Sequence, residues 1–140
     1  MLPKQEVQRV LAIQIGSQQD VIQTIPALEK LRYSAPNAVI TLMVSPSVKQ
    51  LSNIRWVDNV LVYEDAENRF KNSECELALI EKLRLSAFDA AVIFTNSGES
   101  PYALAYSCYL AGIPIRVGDS QEFGGGVLSH ALDAERFSVG

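Results

Sequence analysis

Histidine and cysteine are scarce in this 140-residue chain, and their scarcity removes two kinds of chemistry. His130 is the only histidine, so no histidine-based metal cluster or His–carboxylate pair stands out, and the residue is expected on a helix surface. Cys75 and Cys108 are too few and too far apart for a disulfide framework or a metal knuckle. Both are expected as reduced thiols, which favours a cytoplasmic address. Positive charge is also thin. Twelve Lys and Arg stand against 16 Asp and Glu, for a net charge of −4. Phosphate backbones are bound by clustered cations, so nucleic acid is not an expected partner. No stretch approaches the ~20 apolar residues needed to cross a bilayer. The first ten residues carry Lys4, Glu6 and Arg9 and do not read as a signal peptide.

What is present is a globular composition, 48% hydrophobic and 20% charged, at the length of one ordinary domain. Five apolar, β-branched runs punctuate it: Arg9–Ile15, Ala38–Val44, Asn59–Tyr63, Asp89–Phe94 and Pro114–Val117. Such near-continuous runs suit strands covered on both faces, as in parallel sheets. Helical patterns separate them. Val21–Tyr33 has Val21, Ile25, Leu28 and Leu31 at helical spacing, with Pro26 predicting a kink or a restart capped by Thr24. Ser47–Asn53 is a weak, short helix. Ser73–Leu85 opens on a Ser73/Glu76 capping box and predicts a buried stripe of Leu77, Ile80 and Leu83. Ser100–Ala111 is the clearest, with Ser100 as cap, Pro101 at the first position and Gly112 closing the end. Its nearly all-apolar surface predicts a helix deep against the sheet. Tyr102, Tyr106, Tyr109 and Trp56 all read as packing residues, and Glu64–Asn72 is the one long polar loop. Alternation of strands and helices with right-handed crossovers predicts an α/β, Rossmann-like, doubly wound parallel sheet of order 3-2-1-4-5.

Ligands of such sheets bind beyond the carboxyl ends of the strands where the winding reverses, here between strands one and four. Two segments must line that crevice, Gly16-Ser17-Gln18-Gln19-Asp20 and Thr95-Asn96-Ser97-Gly98-Glu99-Ser100, and Gly118–Gly126 is near enough to contribute. The first is not a dinucleotide fingerprint, because Gln18 and Gln19 stand where glycine is required, and it lacks the Gly-Lys-Ser/Thr ending of a phosphate loop. A phospho-acceptor receiver domain would need an acidic cluster and a lysine after strand five, where the chain has Arg116-Val117-Gly118. Asp20 is left as a carboxylate at a helix start, open to two readings. It is an N-cap, stabilised by first-turn N–H groups, or a general base facing the crevice. The polar groups of residues 95–100 divide in the same way between sugar binding and helix capping.

The run from Arg9 to Val21 (RVLAIQIGSQQDV), followed by Thr24-Ile25-Pro26-Ala27-Leu28, resembles the opening of the family 9 glycosyltransferases, the heptosyltransferases of lipopolysaccharide core assembly. Pro36–Leu42, Val57-Asp58-Asn59-Val60, Phe88–Ile93, Leu110–Pro114 and Arg116-Val117-Gly118 match further stretches of that family in order and spacing. The resemblance covers nearly the whole chain, and its most specific part is the T-x-P-A-L helix with Asp20 four residues before Thr24. It implies the N-terminal, acceptor-side half (residues 1–140) of a GT-B enzyme whose C-terminal donor-binding domain is absent from this chain, so that the chain alone is expected to turn over poorly. It implies an inverting transfer of a heptose-like sugar from a nucleotide-sugar donor to a glycan or lipid-linked acceptor. Asp20 would be the general base, and Gly16, Ser17, Gln18, Gln19, Thr95, Asn96, Ser97 and Gly98 would contact the acceptor. No metal and no cofactor are expected. A lipid-linked acceptor would bring peripheral membrane contact at the inner membrane face. The chain departs from the family pattern at Gln14, where a basic residue is common, at Gln19, where glycine is usual, and at Glu99. Two other classes stay open: a non-catalytic sugar-binding module, and a flavodoxin-like nucleotide-binding or regulatory domain.

Overall fold

A computed structural model describes residues 7–48, 54–63, 73–95, 102–118 and 130–131. In chain order the elements are β1 (Arg9–Gln14), α1 (Gln18–Ser34), β2 (Val39–Val44), a 3-10 turn (Pro46–Val48), β3 (Asn59–Val62), α2 (Ser73–Ser86), β4 (Ala90–Ile93), α3 (Tyr102–Leu110), β5 (Ile115–Gly118) and β6 (His130–Ala131). The strands form one sheet of order β3-β2-β1-β4-β5-β6, parallel throughout. The five expected strands are thus present in the expected order. The sixth was not foreseen: His130 lies in a strand paired with Val117, not on a helix surface. Two residues are too short a run for any periodicity to reveal.

Side-chain parity along the strands divides the core into two layers. Leu11 and Ile13 of β1, Met43 of β2, and Ala91 and Ile93 of β4 pack with Leu79, Ile80, Leu83, Leu104, Ala105 and Cys108 of α2 and α3. Val10 and Ala12, with Ile40, Leu42, Val44, Ala90 and Val92, pack instead on Val21, Leu28 and Leu31 of α1. Both faces of the sheet are covered, which is why its strands read as continuous apolar runs.

Tertiary packing altered three local expectations. First, α1 is one helix that begins at Gln18 and is capped by Ser17, with Pro26 inside it. Thr24 is therefore a buried mid-helix residue whose Oγ1 donates to the Asp20 carbonyl at 2.8 Å. Second, Leu77 is 65% exposed, and the buried stripe of α2 runs through Leu79, Ile80 and Leu83. Third, only one side of α3 is deep. Leu104, Ala105 and Cys108 are buried, whereas Tyr106 and Tyr109 are 52% and 53% exposed and lie 6.3 Å apart, ring to ring. Arg116 covers the outer face of Tyr109 at 5.1 Å. Gly112 ends α3 as expected, at φ +82°, a conformation that glycine adopts without penalty. Trp56 packs partly buried on the α1-side core and against Tyr33. The cap residues Ser100 and Pro101, the side chain of Ser73, and the loop Glu64–Asn72 lie outside the described residues.

Two aspartates fasten the sheet at its amino-terminal edge. The Oδ2 atom of Asp58, just before β3, accepts from the Ile40 N–H of β2 at 2.8 Å and from Arg32 at 2.7 Å. Asp89, just before β4, accepts from Gln8 and Arg9 N–H groups at 2.8 and 2.9 Å. Each carboxylate takes up backbone donors of the neighbouring strand, so both motifs serve strand alignment. The Ile40 N–H bond, with Arg32 adding to it against the cost of burial, holds the Asp58 carboxyl below its ordinary value of 3.8. A depressed folded-state value stabilises the protein above the ordinary value, and that contribution fades as pH falls through the folded one. Wild type should therefore unfold at a higher temperature than Asp58→Asn at pH 7, with the gap closing below pH ~4 in melts across the acid range. Because Asp58 is 48% exposed, solvent screening limits the gap to about 1 kcal/mol.

Cys108 is enclosed between α3 and the sheet, and burial pushes its thiol up to about 12 despite the opposing Arg116 charge. At pH 8 the thiolate is then about one part in ten thousand. Iodoacetamide should leave Cys108 unlabelled in the native protein and alkylate it fully in denaturant, as read by peptide mass spectrometry. Native labelling at the rate of a free thiol would contradict this burial.

Candidate functional site

The winding of the sheet reverses between β1 and β4: β1 is joined through α1 to β2 on one side, and pairs with β4 on the other. The Phe94 N–H donates to the Ile13 carbonyl at 2.9 Å, so the ladder carries the chain out of β4 beside the end of β1. Gly16–Asp20 and Thr95 consequently share the carboxyl edge of adjacent strands. Asn96, Ser97 and Gly98 lie outside the described residues, as do residues 119–126 of the third segment.

The turn after β1 is built from short polar contacts. Ser17 caps α1: its Oγ accepts from the Asp20 N–H at 3.3 Å, and Asp20 Oδ2 accepts from the Ser17 N–H at 2.8 Å and the Ser17 hydroxyl at 2.9 Å. Asp20 is therefore the reciprocal partner in a capping box, not the cap itself. It remains half-buried, with Ser17, Gln18 and Gln19 exposed around it. A carboxylate can accept about four hydrogen bonds, so capping and proton abstraction are compatible roles for one side chain. Gln19 falls in the first turn of α1, and its φ is not positive, so this backbone needs no glycine there.

Four further side chains support the turn, and sequence reasoning gave them no role in the site. Gln14, 3% exposed, has the parity that faces α1; its Nε2 donates to Thr24 Oγ1 at 3.0 Å and its Oε1 accepts from the Gly16 N–H at 3.0 Å. Ser45, buried at the end of β2, donates to the Gly16 carbonyl at 3.3 Å and shares a 2.8 Å hydroxyl contact with Ser47. The available signal was a Ser-Pro-Ser sequence directly after the second apolar run, on the edge where the topology already placed ligands. Gln14 had been visible only as a departure from the family pattern, where a basic residue is common.

Among the described residues no group of three metal-ligating side chains comes together, and no helix is long and apolar enough to cross a membrane. No family model and no curated protein sequence matches the chain. Solved structures do. The Escherichia coli ADP-heptose lipopolysaccharide heptosyltransferase II is similar at 26% identity and a TM-score of 0.68, over 91% of this chain and 36% of that one. A family 9 glycosyl transferase from Veillonella parvula superposes at a TM-score of 0.73 with 19% identity, over 90% of this chain and 36% of that one. The E. coli heptosyltransferase WaaC, solved with ADP-2-deoxy-2-fluoro heptose, gives a TM-score of 0.52 and 20% identity over 80% of this chain and 36% of its own. The latter two likenesses are of fold alone. The chain spans 36% of the length of each of these proteins. In fold, and in the order of its motifs, it resembles the family 9, heptosyltransferase-like glycosyltransferases.

Proposed function

We propose that the chain is the acceptor-side domain of an inverting glycosyltransferase, with Asp20 as general base. The observation that carries this reading is the half-buried Asp20 carboxylate at the sheet's winding reversal, in a fold shared with heptosyltransferases. Asp20 takes the proton of an acceptor hydroxyl as that oxygen attacks the anomeric carbon of a nucleotide-activated, heptose-like sugar. The bond from that carbon to the nucleoside diphosphate breaks on the opposite face, inverting the centre. Ser17, Gln18, Gln19 and Thr95, with Asn96, Ser97 and Gly98 following in sequence, supply amide and hydroxyl partners suited to a glycan, and Gly16, its N–H and carbonyl already engaged, lets the acceptor approach the turn closely.

The donor is held by a second, donor-binding domain, which supplies most of the stabilisation of the departing nucleotide. The acceptor is a glycan or a lipid-linked glycan, met in the cytoplasm or at the inner membrane face. The test is sugar transfer from ADP-heptose to core-type saccharides, using the chain joined to a donor-binding domain and, in parallel, the 140-residue chain alone. Transfer by the first and none by the second is expected. Acceptor binding without turnover in both would point instead to a sugar-binding module.

A further inference from the structure

The turn that carries Asp20 is clamped by the buried side chains of Gln14, Thr24 and Ser45. The Gly16 N–H is held by Gln14 Oε1 and the Gly16 carbonyl by Ser45 Oγ. At the other end of the turn, the Asp20 carbonyl is held by Thr24 Oγ1, which in turn accepts from Gln14 Nε2. Gln14 and Thr24 are buried, at 3% and 7% exposure. Packing alone does not require an amide at position 14. Methionine would fill a similar volume with no polar atoms to satisfy, whereas a buried amide is costly unless bonded at both ends. Both ends are bonded here, and both bonds lead to the Asp20 turn.

We propose that Gln14 and Thr24 are positioning residues that fix the height and orientation of Asp20 above the end of β1. The proposal rests on the reading of Asp20 as the base. A catalytic carboxylate misplaced by about 1 Å can lose roughly a hundredfold in rate without any loss of substrate binding. The clamp acts on the backbone at Gly16 and at Asp20, leaving the exposed side chains of Ser17, Gln18 and Gln19 to meet the acceptor.

The experiment uses Gln14→Met, Thr24→Val and Thr24→Ser, with two readouts. Amide hydrogen exchange followed by NMR on the 140-residue chain reports the clamp. In Gln14→Met the Gly16 amide should exchange at least about tenfold faster while the β1–β4 ladder amides stay protected. Steady-state kinetics of the transfer-competent protein report the consequence. Gln14→Met and Thr24→Val should lower kcat by roughly 10- to 100-fold with the acceptor KM within about twofold, and Thr24→Ser, which keeps the hydroxyl, should restore kcat. Unchanged exchange at Gly16 overturns the clamp whatever the activity. Faster exchange with an undiminished kcat overturns its positioning role. Absence of transfer by the wild-type protein overturns the assignment of Asp20 as base, and is told apart from failure of the clamp by the exchange data.

Discussion

Asp20→Asn should abolish most sugar transfer while leaving the fold nearly untouched. The asparagine carbonyl can still accept from the Ser17 N–H and hydroxyl, the two donors that Asp20 Oδ2 now serves at 2.8 and 2.9 Å. The capping box is then largely retained, whereas the proton acceptor is lost. A positioned general base contributes about 10²- to 10⁴-fold, so kcat should fall by that order with the acceptor KM little changed. Asp20→Ala removes the base and the carboxylate half of the capping box together, leaving Ser17 as the cap. It should show the same kinetic loss plus up to roughly 1 kcal/mol of lost stability, because the Ser17 N–H and hydroxyl lose their acceptor. The pair of variants separates chemistry from capping: equal rates for wild type and Asp20→Asn would make Asp20 a structural residue only. The measurement is initial-rate transfer alongside thermal unfolding of all three proteins.

Arg32→Met should cost this domain far more stability than an ordinary surface substitution. The guanidinium of Arg32, on the last turn of α1, donates from Nε to the Trp56 carbonyl at 3.2 Å and from Nη1 to the Ala38 carbonyl at 2.8 Å. Nη1 also reaches the Pro36 carbonyl at 3.5 Å, and Nη2 binds Asp58 at 2.7 Å. One side chain, 19% exposed, thus joins the end of α1, the start of β2 and the approach to β3. An exposed ion pair by itself would contribute well under ~1 kcal/mol. The several partners decide the matter: methionine keeps the stem's packing but leaves carbonyls in a partly buried site without their donor. The expected cost is about 2 kcal/mol by urea unfolding, or roughly 5 °C in Tm. Arg32→Lys should recover little of it, because one ammonium cannot reproduce the planar fork. A loss below ~0.5 kcal/mol would reduce Arg32 to an ordinary surface pair.

These two residues also show how differently the sequence exposes a candidate base and a structural anchor. Asp20 was legible as a candidate because it follows an apolar run and a small-residue turn and precedes the T-x-P-A-L motif, all of them local. Arg32 carried no such mark, since its partners lie 4 to 26 residues away and meet only when β2 and β3 align. Asp58 and Asp89 were legible as parts of recurrent motifs, but not as acceptors for the backbone of neighbouring strands. Of the candidate acceptor contacts, Gly16, Ser17, Gln18, Gln19 and Thr95 stand on the expected edge, whereas Asn96, Ser97 and Gly98 lie outside the described residues.

By itself the sequence determined the number of main strands, their order and the sheet edge on which Gly16–Asp20 and Thr95 stand. Apolar runs identify strands, and the right-handed crossover leaves few ways to wind them. Tertiary structure decided where α1 begins, which face of α2 and α3 is wet, that a sixth strand joins β5, and that Gln14 and Thr24 stand behind Asp20. The reason is physical. Periodicity is a property of one segment, whereas the partner of a buried polar group is chosen by the docking of segments distant in sequence, and no single segment contains that information.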